Sequence, residues 1–149
     1  MKIVIQRVTE SYVEVNKQIV GKINQGLMLL IGIDETDTQD DANWLIQKIL
    51  NLRIFSDQDG KLNLSVLDIK GELLCISQFT LIAEYKKGNR PSFIKAMNPD
   101  GAIKLFEYFK DELKKSQLKI ESGIFGADMK ISLVNDGPVT IVMDSKTKN

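Results

Sequence analysis

The chain has 149 residues, 43% of them hydrophobic and 27% charged, with 20 basic and 20 acidic side chains and no net charge. This is the length of one ordinary domain, and its charge balance gives no global field to gather a polyanion. The absence of histidine excludes Ser-His-Asp and Cys-His catalysis, imidazole bases and the common zinc sets.

No apolar run approaches the roughly 20 residues of a membrane span. The opening Met1-Lys2-Ile3-Val4-Ile5-Gln6-Arg7 turns polar too early for an export signal. The single cysteine, Cys75, lies in an apolar run and is read as a core residue, which fits a reducing compartment. A cytoplasmic protein is expected. No Asp/Glu spacing resembles a calcium loop, so neither a metal nor another cofactor is expected.

In chain order, Ile3, Val4 and Ile5 open a short strand, and Val13 and Val15 alternate with Glu14 and Asn16 in a second. A third covers Gln18–Ile23. After the Asn24-Gln25-Gly26 turn, Leu27 to Ile33 is continuously apolar and reads as a strand buried on both faces. Thr38 with Asp41 three residues on is a helix-capping signal, followed by Ala42, Leu45, Ile46, Ile49 and Leu50 at helical spacing. A short strand is expected over residues 53–56, then an Asp57-Gln58-Asp59-Gly60 loop. Glu72 to Ile76 begins as a buried strand. Asn98-Pro99 starts a second helix with the stripe Ala102, Leu105, Phe106, Phe109 and Leu113. Strands over residues 118–121, 129–134 and 139–143 and a loose tail from Ser145 complete the chain. The pattern predicts one α+β domain, residues 1–149, with a curved or barrel-like, mostly antiparallel sheet and two main helices.

Two stretches do not behave as plain strands. Ser77 and Thr80 in Ser77-Gln78-Phe79-Thr80-Leu81 are an odd number apart, so a regular strand sends them to opposite faces. If both serve one site, the strand ends or bulges between them; otherwise the hydroxyls satisfy nearby backbone. In Asn135-Asp136-Gly137-Pro138-Val139-Thr140, proline cannot donate to a sheet, so a turn or sharp bend is expected, with the Gly137 and Pro138 carbonyls left as acceptors. The residues themselves leave both isomers of that peptide bond open, and the trans form is the commoner in general. Lys86, Lys87, Arg90 and Lys95 cluster on one segment. A second group, Lys110, Lys114, Lys115 and Lys119, reads as solvated surface.

Together these two motifs closely resemble the paired signature of the D-aminoacyl-tRNA deacylases of bacterial and eukaryotic type. Gln6-Arg7-Val8, Lys87-Gly88-Asn89-Arg90-Pro91-Ser92-Phe93 and Phe125-Gly126-Ala127-Asp128-Met129 are similar to the same family, in the same order. Departures at Ser11-Tyr12 and Glu84-Tyr85 touch neither signature.

The resemblance implies a homodimer with two composite sites, hydrolysing the ester that joins a D-amino acid, or glycine, to tRNA, as translational proofreading. It implies a cis Gly137–Pro138 bond reaching into the partner's pocket, its carbonyls accepting from the substrate's α-ammonium and its bulk rejecting L side chains. Ser77, Gln78, Phe79 and Thr80 become the catalytic candidates, positioning the ester and stabilising its oxyanion, with water assisted by the RNA 2′-hydroxyl. Phe125 is a candidate platform for adenine, or equally a core residue, and Met129 a lining residue. Arg7 is a candidate buttress of the Gly-Pro corner, and Lys86, Lys87 and Arg90 are candidate tRNA contacts. The alternatives are a non-catalytic module binding aminoacyl-tRNA or peptide, and a histidine-free hydrolase of small esters.

Overall fold

The strand that organises the sheet is β3 (Gly26–Gly32), apolar along its length because both of its faces are covered. In the computed structural model, which describes residues 1–148, β3 lies between two neighbours of opposite sense. The first half of β1 (Lys2–Val15) pairs with it antiparallel, from Lys2 opposite Gly32 to Val8 opposite Gly26. On its other side β6 (Glu72–Ser77) runs parallel, from Glu72 beside Gly26 to Ser77 beside Ile31.

Along the same edge, the second half of β1 leaves β3 and pairs with β2 (Gln18–Ile23) through a two-residue hairpin. Asn16 and Lys17 there both adopt positive φ, 50° and 65°, as the twist-matching hairpin turn requires. β6 in turn pairs in parallel with β7 (Ile120–Ser122). A side-chain carbon added to Gly21 of β2 would lie 2.8 Å from the carbonyl oxygen of Ser122, so β2 curls against β7 and the mixed sheet nearly closes into a barrel. β8 (Lys130–Asp144) runs antiparallel along the opposite edge of β1, from Lys2 opposite Asp144 to Glu14 opposite Lys130.

Each face of this sheet buries its own core. One carries Ile3, Ile5, Leu27, Leu29, Ile31, Leu73 and Cys75, and two helices cover it. α1 (Gln39–Asn51) presents Leu45, Ile46 and Ile49; the Thr38 N–H donates to Asp41 Oδ2 at 2.9 Å to fix its start. α2 (Pro99–Lys114) presents Leu105, Phe106 and Phe109, and Asn98 Oδ1 caps it by accepting from the Gly101 N–H at 2.9 Å. The opposite face gathers Val8, Val13, Ile23, Met28, Leu74 and Ile76, against which Met129, Ile131 and Leu133 pack. Phe109 is fully buried; truncating such a ring to alanine costs about 3–5 kcal/mol. Among the described residues, no helix is long and apolar enough to cross a membrane.

Four sequence expectations are revised. The segments expected as separate strands at residues 3–5 and 13–15 are one strand, β1, because β8 spans its whole length and bridges the polar middle. The two strands expected on either side of Gly137-Pro138 are likewise one strand, with a bulge in place of a turn. β4 (Phe55–Ser56) finds a partner in β5 (Leu62–Leu64), too short a run for periodicity to reveal. The tail is docked at its start: Ser145 is buried, its N–H donates to the Met1 carbonyl at 2.9 Å, and Lys146 Nζ reaches Asp41 Oδ2 at 3.0 Å.

Candidate active site

β6 leaves the sheet at Ser77. The Gln78 N–H still donates to the Ile31 carbonyl at 2.7 Å, but Phe79–Ile82 then form one 3₁₀ turn, with Leu81 N–H bonded back to the Gln78 carbonyl at 3.2 Å. The strand thus ends between Ser77 and Thr80, as a shared site requires. A side-chain carbon at Gly32 would sit 2.8 Å from Leu81 Cβ and 3.0 Å from the Gln78 carbonyl, so only glycine at the end of β3 lets this turn close over it. The first N–H groups of a helical turn have no partner within it. Those of Phe79 and Thr80 find no other acceptor among the described residues. The Gln78 side-chain amide donates to Thr80 Oγ1, which fixes both side chains.

Beside this turn lies a cavity of about 250 Å³. Ser77, Gln78 and Phe79 form one wall, Ile31 from β3 and Ile33 just past its end the floor, and Phe125, Gly126, Ala127 and Met129 from the loop before β8 the opposite wall. Ala102 from the first turn of α2 closes one end. Phe125 tilts against Phe106 at 6.1 Å between ring centroids, so it is at once a wall of the cavity and an extension of the helix core. Gly123 packs under the same wall: a side-chain carbon there would stand 2.4 Å from Met129 Sδ and would displace the Met129 side chain.

No titratable side chain lines the cavity. The Cys75 thiol, next in sequence to the lining residue Ile76, is fully buried in the helix-facing core, and burial pushes its pKa up to about 12. The polar chemistry available is therefore hydroxyl, amide and backbone N–H. No group of three or more metal-ligating side chains exists among the described residues.

The second signature stretch lies on the β8 bulge. Between Gln6 opposite Thr140 and Val8 opposite Asn135, β1 advances two residues while β8 spends five, and the surplus loops outward. Gly137 has φ 129° and its bond to Pro138 is cis. Both residues are exposed, and neither lines the 250 Å³ cavity of its own chain. Arg7, only 8% exposed, holds the base of the bulge: Nε donates to the Asp136 carbonyl at 2.9 Å and Nη1 to the Ile54 carbonyl at 2.7 Å. A side-chain carbon at Gly137 would come within 2.9 Å of Arg7 Nη2.

Asn135 closes the bulge from within. Its Oδ1 accepts from the Val139 N–H at 3.0 Å, and its Nδ2 donates to Thr140 Oγ1 at 2.9 Å. Sequence reasoning did not single out Asn135, although an Asn opening a Gly-Pro bend is a known device for replacing lost backbone bonds. It also missed Ile33 and Ala102, whose apolar character carries no signal beyond core. Within one chain, then, Ser77, Gln78, Phe79, Phe125 and Met129 come together with Thr80 at the rim, Gly137, Pro138 and Arg7 form a separate corner, and Lys86, Lys87 and Arg90 stand on a third element.

Comparison with known proteins places the chain in one family. A D-aminoacyl-tRNA deacylase of Flavobacterium psychrophilum is 56% identical over 149 residues, 99% of each chain. One of Thermosipho melanesiensis is 52% identical over 147 residues, 98% of each. Among solved structures, a c-Myc DNA unwinding element binding protein superposes with a TM-score of 0.91 at 42% identity, covering 97% of this chain and 98% of that one. A probable eukaryotic D-amino acid tRNA deacylase has the same fold, with a TM-score of 0.83 at 16% identity over 95% and 97%. With residues 4–144 matching the family described as D-Tyr-tRNA(Tyr) deacylase, the chain belongs to that family.

Proposed function

We infer that this protein is a D-aminoacyl-tRNA deacylase, a carboxylic ester hydrolase that frees tRNA from D-amino acids, and from mischarged glycine, as a proofreading step of translation. The observation that carries this reading is the cavity in which Ser77, Gln78 and Phe79 face Phe125 and Met129, both halves drawn from the segments that match the family.

The chemistry follows from what lines that space. A tetrahedral oxyanion needs donors already in place, and the unpaired N–H groups of Phe79 and Thr80 with the Ser77 hydroxyl supply them. Thr80 Oγ1 accepts from Gln78, which leaves its proton to donate and suits positioning. As a nucleophile it needs a base, and no titratable side chain lines the cavity. Water is therefore the nucleophile, and the neighbouring 2′-hydroxyl of the terminal ribose is the group placed to relay its proton. The water oxygen bonds to the ester carbon, the bond to the 3′-oxygen breaks, and the proton ends on that oxygen. Phe125 offers an aromatic face for the adenine, and Met129 packs beside it.

Selection by chirality is assigned to the bulge. Gly137 and Pro138 are exposed and lie outside their own cavity, which suits a homodimer in which each bulge completes the partner's site. An ammonium has donors only, so two main-chain carbonyls suffice to hold it. With the ammonium and ester fixed, an L side chain meets the Gly-Pro wall, a D side chain points away, and glycine has nothing to reject. Such an enzyme acts where tRNA is charged, in the cytoplasm.

The purified protein is expected to release D-tyrosine from D-tyrosyl-tRNA while sparing the L-ester, and equal rates on both would sink the reading. A binding module without turnover is favoured by one observation, the DNA-binding name of the relative at 42% identity. Saturable nucleic-acid binding with no turnover, unmoved by Ser77→Ala, would select it.

A further inference from the structure

Three cationic side chains stand together on one short loop with no carboxylate to pair them. Glu84 and Ser92 exchange both backbone hydrogen bonds at 2.8 Å and so tie the neck of the loop over residues 85–91. Lys86, Lys87 and Arg90 are exposed and, among the described residues, form no ion pair. With Ser92 they line a cleft of about 300 Å³. Glu84 also lines it, but Lys95 Nζ lies 2.6 Å from its carboxylate and neutralises it.

The other lysine-rich segment is a useful contrast. Lys110, Lys114, Lys115 and Lys119 each lie within 4 Å of a carboxylate, on Glu107, Asp111, Glu112 and Glu72 respectively. In a chain of zero net charge, the loop thus concentrates unpaired positive charge at one place. Tyr85, 76% exposed, adds an open aromatic ring at its start. Just past the neck, Phe93 meets Phe79 edge-to-face at 5.1 Å between centroids, and Phe79 is a wall of the ester cavity. The loop is therefore anchored beside that cavity.

Exposed aromatic rings beside unpaired cations are what single-stranded nucleic acid binds, bases stacking while phosphates are neutralised. We propose that the loop over residues 85–91 is an arm for the unpaired 3′ end of tRNA, Lys86, Lys87 and Arg90 holding phosphates of the nucleotides before the terminal adenosine and Tyr85 stacking one of their bases. The proposal rests on the deacylase reading and adds a subsite to it.

The test compares a Lys86→Ala/Lys87→Ala/Arg90→Ala variant, Tyr85→Ala, and a Lys114→Ala/Lys115→Ala/Lys119→Ala control of equal charge change. Two readouts are needed. The first is anisotropy of a labelled RNA hairpin with an unpaired 3′ tail, titrated between 50 and 200 mM salt, against a blunt hairpin. The loop variant is expected to bind the tailed RNA at least about tenfold more weakly, with a log–log salt slope shallower by about 2, from roughly 0.7 per phosphate over three contacts. Tyr85→Ala is expected to lose about fivefold or more with no change in slope. The second readout is kcat/KM on D-tyrosyl-tRNA and on the D-tyrosyl ester of adenosine, which has no phosphate. The loop variant should fall at least about tenfold on the first and not on the second. Equal losses on both esters, no loss on tRNA, or an equal loss in the control overturns the arm. Loop-dependent RNA binding by a protein that cleaves neither ester leaves the arm standing and overturns the deacylase reading instead.

Discussion

Replacing Arg7 by lysine perturbs the support of the bulge while leaving the Ser77–Phe79 cavity, which Arg7 does not line, in place. The guanidinium makes two bonds that diverge, Nε to the Asp136 carbonyl at 2.9 Å and Nη1 to the Ile54 carbonyl at 2.7 Å. A lysine ammonium keeps the charge but cannot span both acceptors from one stem. One charge-assisted bond is therefore lost, which costs about 1.5–3 kcal/mol, the upper part of the range applying where the carbonyl left behind is buried, as at Ile54. Arg7→Lys should lower unfolding stability by about that amount in a denaturant titration at unchanged slope. The Gly137 and Pro138 carbonyls follow directly from Asp136, so under the proposed function a bulge released at that point should hold the substrate ammonium less firmly. Loss of one such bond corresponds to roughly a 10- to 150-fold fall in kcat/KM on D-tyrosyl-tRNA. Cleavage of the L-ester should rise relative to the D-ester as the wall loosens. Wild-type discrimination between the two esters in a variant destabilised as expected would refute the assignment of Arg7 as the buttress.

Asn135→Ala removes the acceptor for the Val139 N–H and the donor to Thr140, and should cost about 1–3 kcal/mol with weakened D/L discrimination, whereas Asn135→Asp keeps the acceptor and should fall between. Stability curves and paired rates on the two esters check both. Gly32→Ala places a carbon 2.8 Å from Leu81 and 3.0 Å from the Gln78 carbonyl, so it should cost about 1–3 kcal/mol and lower kcat by displacing the Phe79–Ile82 turn. A normal kcat in a folded Gly32→Ala protein would remove that turn from the chemistry. Lys146→Ala tests the docked tail. Burial works to raise the Asp41 pKa, but hydrogen bonds from Ser145, Thr38 and Lys146 outweigh it and hold the carboxyl below its ordinary 3.8. Its bond to Asp41 likewise raises the Lys146 pKa above 10.5. The pair's contribution is thus present between those two values, lost as pH falls below about 3.8 and lost again as it rises above 10.5. Because Lys146 is 44% exposed and screened, the variant should lose only about 0.5–1 kcal/mol at pH 7, a difference that shrinks in acid.

Strong periodicity made much of this fold readable from the chain. Ala42 to Leu50 and Ala102 to Leu113 repeat at helical spacing behind caps whose hydrogen bonds form, and the apolar run of β3 is covered on both faces. What stayed hidden depends on partners distant in sequence. The polar middle of β1 stays extended because β8 lies along it, more than a hundred residues later, and local pattern has no access to that pairing. The site divides the same way. The odd spacing of Ser77 and Thr80 offered a strand end or bulge as one of two readings, and a strand ends there. Nothing in Ile33 or Ala102 distinguishes a cavity wall from ordinary core, and nothing local places the Ile54 carbonyl within reach of Arg7.

β8 has one more property. It is a fifteen-residue strand whose far edge pairs with nothing among the described residues, and it carries Val134 and Val142, 50% and 69% exposed. Such an edge is a template on which further chains can add without limit. The outward loop at Gly137 breaks its repeat, and Pro138 withholds a donor, so an incoming strand finds only the short runs at residues 130–134 and 140–144 in register. The corner assigned here to reading chirality is at the same time a guard against fibrous association. Straightening it, by deleting residues from the bulge, should be felt first as loss of solubility.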